Sequence, residues 1–415
     1  MQFTVPFSKD LIYQIIEEFG TPVHILDERG IRETIHNFYG VFSWAEYIKN
    51  YYAAKANPNP HIFRITGDEG MGLDCSSLPE LVKAEMAGIT GENIMFTSNN
   101  TAYGEYTKAN ELGAIINLDD INMIDFLERE VGIPEEISFR YNPGPLQKGS
   151  PYFGGDPEDQ KYGTMKDQLF DAYRLMAEKG VKRFGIHTMF HSNCLNPEIF
   201  VGIYEMMFSL VEEILEKTGV PITRVNFGGG MGIPYNLKDE SLDLNSISKG
   251  LQRAYDEKIV KRGLDPIKLC FENGRMITGP HGYLVSRVIH TKEIYRDYIG
   301  LDACMVDNPR PAMYDAYHHI TVLGKENDPH DHVYDVVGSL CENNDKFAKE
   351  RELPRTKIDD IYIIHNDGAH TEAMGGNYND KLRSPQVLVT MDGIPKLIKR
   401  RETMEDLLRR YTPLD

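Results

Sequence analysis

Eight short apolar runs, spaced along the first two thirds of the chain with helical stretches between them, constrain the fold more than any other feature. They lie at residues 48–54, 72–75, 94–96, 114–118, 137–141, 184–187, 224–227 and 268–272. Amphipathic patterns fill the gaps, most clearly at 77–86, 167–179, 197–217 and 246–261. Strands that alternate with helices pair in parallel, and eight of them close into a (β/α)8 TIM-type barrel. Such a barrel presents its chemistry at the C-terminal ends of its strands. Lys55, His187, Gly228 and Glu272 all fall there.

Beyond residue 281 the texture changes. The β-branched run 283–290 and the shorter runs 361–364 and 386–389 are punctuated by turn residues, as in Met391-Asp392-Gly393. This predicts an antiparallel β domain. Residues 1–5 and 23–26 are expected to add strands to it, and Thr403 is a candidate N-cap for a closing helix over 403–411. The expected division is therefore an α/β chain with an N-terminal segment (1–30) joining the β domain, a barrel (31–280) and a β-rich C-terminal domain (281–415). A length of 415 residues accommodates both.

Composition narrows the functional classes. The 45 Lys and Arg against 63 Asp and Glu give a formal net charge of −18, which disfavours nucleic acid and anionic membranes as partners. No secretory signal or run of about 18 apolar residues is visible, so no membrane span is expected. Five widely spaced cysteines without a Cys-x-x-Cys motif point to reduced thiols in a cytoplasmic protein. The histidines, including the His318-His319 pair, have no metal-ligand spacing, and no metal is expected.

Lys55 closes the run Tyr51-Tyr52-Ala53-Ala54 and is followed by Ala56-Asn57-Pro58. A lysine at a buried strand end is desolvated, which favours the neutral amine that attacks carbonyls. Taken alone, it reads more readily as a lysine snorkelling at a strand end, and the rest of the chain reverses that reading. Gly228, Gly229 and Gly230 follow a strand and suit either an anion-binding loop or a plain turn. At Glu272-Asn273-Gly274-Arg275 a carboxylate at a strand end can hold a ring nitrogen protonated, and the guanidinium can grip a phosphate or carboxylate, or the two can form a structural pair. Arg310 and Tyr314, four apart, can share one carboxylate. Cys341 beside Glu342 is either a thiol acid or a small hydrophobe.

In this order, these segments resemble the fold-type-III pyridoxal-phosphate decarboxylases, and within them those acting on meso-diaminopimelate. Residues 52–58 resemble the family's Schiff-base lysine motif, Asp74 to Glu80 its Asp-x-x-Ser stretch, and residues 140–144 its Arg-x-Asn-Pro. Residues 228–230 match its phosphate loop, and residues 272–275 its Glu-Pro-Gly-Arg with Asn273 in the proline's place. Residues 314–319 and 338–345 match two motifs of its β domain. The resemblance implies pyridoxal 5′-phosphate as cofactor, with Lys55 bonded to it and Glu272 on its pyridine nitrogen. Asp74, His187, Met189, Ser192, the three glycines, Asn273, Gly274, Arg275 and His370 would surround it. Arg275, Arg310, Tyr314, Glu342 and His370 would bind a small amino-acid substrate, and Cys341 would donate the proton. It further implies a homodimer with active sites shared across the interface.

Two departures stand out. The family's His-Cys-His-Ile-Gly-Ser is here His187-Thr188-Met189-Phe190-His191-Ser192, so Met189 takes the place of the histidine that stacks on the cofactor ring, unless His191 swings into that role. His370 stands where the family has a tyrosine near the phosphate. The expected reaction is decarboxylation of meso-2,6-diaminopimelate to L-lysine, the last step of lysine biosynthesis. The alternatives are a decarboxylase for D-lysine, D-ornithine or carboxynorspermidine, or a non-catalytic regulatory relative that binds the cofactor. A racemase on the same barrel is disfavoured by Arg310 and the Cys341-Glu342 pair.

Overall fold

The computed structural model describes residues 3–144 and 160–414. The chain divides into two compact units, one of residues 32–233 and 241–276, the other of residues 1–31, 234–240 and 277–415. The short segment 234–240, within the span read as barrel, thus groups with the β-rich unit.

The first unit is a closed barrel of eight parallel strands: Ile48–Ala53, Gly72–Cys75, Ile94–Ser98, Ile115–Leu118, Glu136–Arg140, Arg183–His187, Arg224–Asn226 and Lys268–Phe271. Closure is made by the first and last strands, with Ile48 opposite Leu269 and Asn50 opposite Phe271. Helices between the strands begin and end where local chemistry dictates. Asn196 caps the helix Pro197–Thr218 by accepting from the Glu198 N–H, and Pro197 sits where its missing N–H costs nothing. Gly219, in the left-handed region, ends it. Inside the barrel, Tyr51, Met95, Ile115 and Cys270 form an apolar cluster. Beside it the buried Arg224 is held by Glu136 at 2.8 Å and by the Tyr51 hydroxyl at 3.3 Å. These groups fill the floor, so polar side chains near the C-terminal strand ends are the ones left for chemistry.

The second unit is a nine-stranded sheet. Its long strand Gly282–Glu293 pairs with Val23–Asp27, Asp297–Leu301 and Ile361–His365, all antiparallel. The sheet is mostly antiparallel, as expected, but two pairings are parallel: Val23–Asp27 with Gln386–Val389, and Asp297–Leu301 with His332–Val337. Neither pair is joined by a hairpin, so no turn imposes antiparallel direction on them. Val23–Asp27 does join the sheet, whereas Phe3–Val5 carries no strand; Met1 and Gln2 lie outside the described residues. Thr403 caps the closing helix through a reciprocal box with Asp406, but the helix is shorter than expected, Met404–Leu408.

Candidate active site

Lys55 stands on a one-turn 3-10 helix, Ala54–Ala56, directly after the first barrel strand. Ala54 and Ala56 are buried, but Lys55 itself is exposed, so the expected desolvation of its amine is not found. The tight turn takes the lysine off the strand ladder, and the apolar residues around it form a base rather than a cover. That base is built for a close approach. A Cβ on Gly274 would lie 2.7 Å from the Ala56 Cβ and 3.1 Å from the Ala53 Cβ, so only glycine lets the 272–275 segment pack against the lysine turn.

Glu272 is buried at the end of the last strand. Its Oε2 lies 3.0 Å from His187 Nε2, and its Oε1 accepts from Asn226 Nδ2 at 2.8 Å. Burial alone would raise its pKa. The charge and hydrogen bond of His187, followed by the charges of Lys55 and Arg140, outweigh burial and hold it below the usual carboxylate range. Asp74 goes the other way. Burial first, and then the neighbouring Glu272 charge, push it well above its ordinary value against the pull of Lys55. The two carboxyls are thus displaced in opposite directions, Glu272 toward its ionised form and Asp74 toward its neutral one.

The glycine loop is shaped from both sides. A Cβ on Gly229 would lie 2.4 Å from the Glu272 carbonyl oxygen, and one on Gly230 would lie 2.2 Å from that of His191. The Gly228 N–H donates to Asn226 Oδ1 at 2.9 Å, and the Gly229 N–H points at Met189 Sδ at 3.2 Å. Met189 is therefore a neighbour of the loop itself. The Met231 N–H donates to Asn273 Oδ1 at 3.3 Å. Asn273 also exchanges two bonds with Asn50: its N–H donates to Asn50 Oδ1 at 2.9 Å, and its carbonyl accepts from Asn50 Nδ2 at 3.0 Å. A proline at 273 could make neither the N–H bond nor the side-chain bond. Ser192, exposed, accepts from Arg275 Nη2 at 3.3 Å, and His191 is half-buried.

These residues fit pyridoxal phosphate. An ionised buried carboxylate suits a ring nitrogen, a lysine on a flexible arm stands at the same strand-end face, and a glycine loop with an adjacent arginine suits an anion. Asn226 and Asn50 were not anticipated. The available signal was an asparagine inside each of two parallel barrel strands.

The candidates of the β-rich unit are arranged differently. Arg310, buried, stacks its guanidinium 4.6 Å from the Tyr235 ring centre and donates to the Tyr235 hydroxyl. Tyr314 is 61% exposed, so the two ends of the expected carboxylate clamp differ sharply in burial. Cys341 is exposed, its N–H donating to Asn379 Oδ1 at 2.8 Å, and Glu342 accepts from the Asn344 N–H at 3.1 Å. Asp345 organises their loop: it accepts from the Met305 N–H at 2.7 Å and the Leu340 N–H at 2.9 Å. Burial pushes its pKa up to about 6 despite those donors. His370 is half-buried and holds a positive φ of 58°, unusual outside glycine.

Residues 28–279 match the family model described as the pyridoxal binding domain of pyridoxal-dependent decarboxylases. The chain is 40% identical over 397 residues to Protein TabA of Pseudomonas amygdali pv. tabaci, covering 95% of this chain and 92% of that one. It is 36% identical over 400 residues to the diaminopimelate decarboxylase of Methanothermobacter thermautotrophicus, with the same coverage. The crystal structure of the diaminopimelate decarboxylase of M. jannaschii superposes with a TM-score of 0.89 at 29% identity, covering 96% of this chain and 94% of that one, and a further structure of that enzyme is a complex with L-lysine.

Proposed function

This chain belongs to the pyridoxal-dependent decarboxylases, with pyridoxal phosphate as its cofactor, and on that premise we propose that it removes the carboxylate at the D-configured end of meso-2,6-diaminopimelate to give L-lysine and CO2. The observation that carries this reading is the 36% identity, over nearly the full chain, to a diaminopimelate decarboxylase. Arg310 supports it: a buried guanidinium suits a distal carboxylate, whereas a substrate ending in an ammonium needs an acid.

When bound, the cofactor supplies the electron sink for the pair left behind by CO2. The chain's own residues do the rest. Lys55 would hold the cofactor, its exposed amine standing where a substrate amine can reach. Glu272, its pKa held down by His187 against burial and its carboxylate oriented by Asn226, would keep a ring nitrogen protonated. Arg275 and the loop of Gly228, Gly229 and Gly230 bind the phosphate. Arg310 and Tyr314 hold the distal carboxylate, Glu342 the distal amine, and the Cys341 thiol returns a proton to the α-carbon. Cys341 and Glu342 would serve the neighbouring subunit of a homodimer. The five unpaired cysteines support placement in the cytoplasm.

A second reading is decarboxylation of a related amino acid. The 40% identity to Protein TabA favours it, as do Met189 and His370. Mass spectrometry of products separates the two. Purified chain with pyridoxal phosphate is offered meso-diaminopimelate, D-lysine, D-ornithine and carboxynorspermidine separately. Lysine from meso-diaminopimelate alone, absent in Lys55→Ala, is the expected result. A diamine or polyamine in its place establishes the second reading.

A further inference from the structure

The barrel interior contains polar side chains that the proposed chemistry does not use. Thr97, Asn117 and Ser138 stand opposite one another in register on three adjacent strands, Thr97 against Asn117 and Asn117 beside Ser138. Neighbouring strands are ~4.8 Å apart, so the three form one row. All are buried. Thr97 Oγ1, both polar atoms of the Asn117 amide and Ser138 Oγ have no hydrogen-bond partner among the described residues, and neither does Asp74 Oδ1. The row continues to Gly185, opposite Ser138, where the next strand contributes no side chain. A hydrogen bond from Thr97 is among the influences that hold the Asp74 pKa down, so the two side chains lie within reach of each other, although neither Thr97 Oγ1 nor Asp74 Oδ1 has a partner in full hydrogen-bond geometry among the described residues.

Five orphaned polar atoms in one barrel are costly unless something joins them, at about 1–3 kcal/mol each. Buried water characteristically satisfies such groups, making two to four hydrogen bonds apiece.

We propose that Thr97, Asn117 and Ser138 bind a small cluster of water inside the barrel, that this water gives Asp74 Oδ1 its hydrogen-bond partner, and that Asn117 is thereby a positioning residue for the acid beside Glu272. Asn117 is central because its amide both donates and accepts, so one side chain can orient water toward Thr97 and toward Ser138.

The direct test is a crystal structure of the wild-type chain at a resolution that shows ordered water. Peaks within about 3 Å of Asn117 and Asp74 Oδ1 inside the barrel are expected. An empty interior, or side chains turned to bond one another, overturns the proposal. So does a peak with several oxygen contacts near ~2.4 Å, which marks a bound cation. The second test is Asn117→Leu, with Ser138→Ala as the milder variant should the first fail to fold. Loss of the water desolvates Asp74 further, so its titration, read by carbon NMR of labelled aspartate, moves alkaline by roughly one pH unit or more. An unmoved titration in a folded variant overturns the positioning role. Neither readout depends on which substrate the enzyme uses.

Discussion

Among the described residues two buried histidine–carboxylate pairs occur, one in each unit, and they do different things. In the barrel His187 lies 3.0 Å from Glu272. In the β-rich unit His24 lies 2.6 Å from Asp367 and 3.9 Å from Asp307. Burial and pairing are alike. The surroundings are not. The β-unit cluster ends in Glu372, which is tied to Arg383, Lys399 and Gln386, so its nearby charges are met by side chains locked in the fold. The barrel pair is influenced instead by Lys55, an exposed amine on a turn. The comparison teaches that a perturbed, buried ion pair does not by itself mark a reaction centre. What marks it is a solvent-accessible partner within electrostatic reach.

The comparison breaks most severely at Lys55. Lys55→Ala is expected to lower decarboxylation by about 10³-fold or more, with unchanged circular dichroism, because the amine anchors the cofactor without supporting the fold. Substantial residual turnover would remove the accessible amine from the account. Glu272→Ala and Asp367→Ala sharpen the contrast. Each strands a buried histidine and is expected to cost about 3–5 kcal/mol in denaturant unfolding. Only Glu272→Ala should also lose cofactor binding, followed by absorbance titration. Equal loss in a folded Asp367→Ala would erase the distinction.

The pairs also differ in their dependence on pH. Burial lowers the His24 pKa, but the charge and hydrogen bond of Asp367, with the charges of Asp307 and Glu372, raise it above its ordinary value. Its stabilising contribution is therefore complete below the unfolded pKa of about 6.5 and is lost as pH rises through the higher folded value. Melting temperatures measured across this range should fall on the alkaline side, and His24→Asn should flatten that slope. The smallest effect belongs to Met189. If its thioether packs on the cofactor ring, Met189→Ala weakens cofactor affinity between about twofold and tenfold, from a contact worth 0.3–1.5 kcal/mol. No change would confine Met189 to its place beneath the Gly229 amide.

The barrel was legible because each of its strands carries its own signal. Eight apolar runs appear at the expected spacing, and their C-terminal ends carry the chemistry. The burial of Lys55 was misjudged because small apolar neighbours look the same whether they cover a lysine or support it. The His24 cluster was invisible for another reason: its members are far apart in sequence, with His24 and Asp367 separated by 343 positions. Only the sheet pairing brings them together. The parallel pairings of the β-rich unit escaped for the same reason, since strand direction between distant segments leaves no local trace. Asn50 was likewise unreadable alone, because its role depends on an N–H that exists only where position 273 is not proline.

The contact of Gly274 with Ala53 and Ala56 has a consequence for the order in which this protein comes to life. The lysine turn leaves the ribosome early, on the barrel's first strand, while the glycine that packs against it arrives with the last. Until that final strand docks, the lysine turn lacks its abutting wall and Glu272 has not met His187. A nascent chain halted before residue 268 can therefore hold most of the barrel's helices and still be blind to its cofactor. Acquisition of the cofactor's absorbance during synthesis is thus a clock for ring closure, and a bulky residue at 274 would stop that clock while leaving the earlier strands free to form.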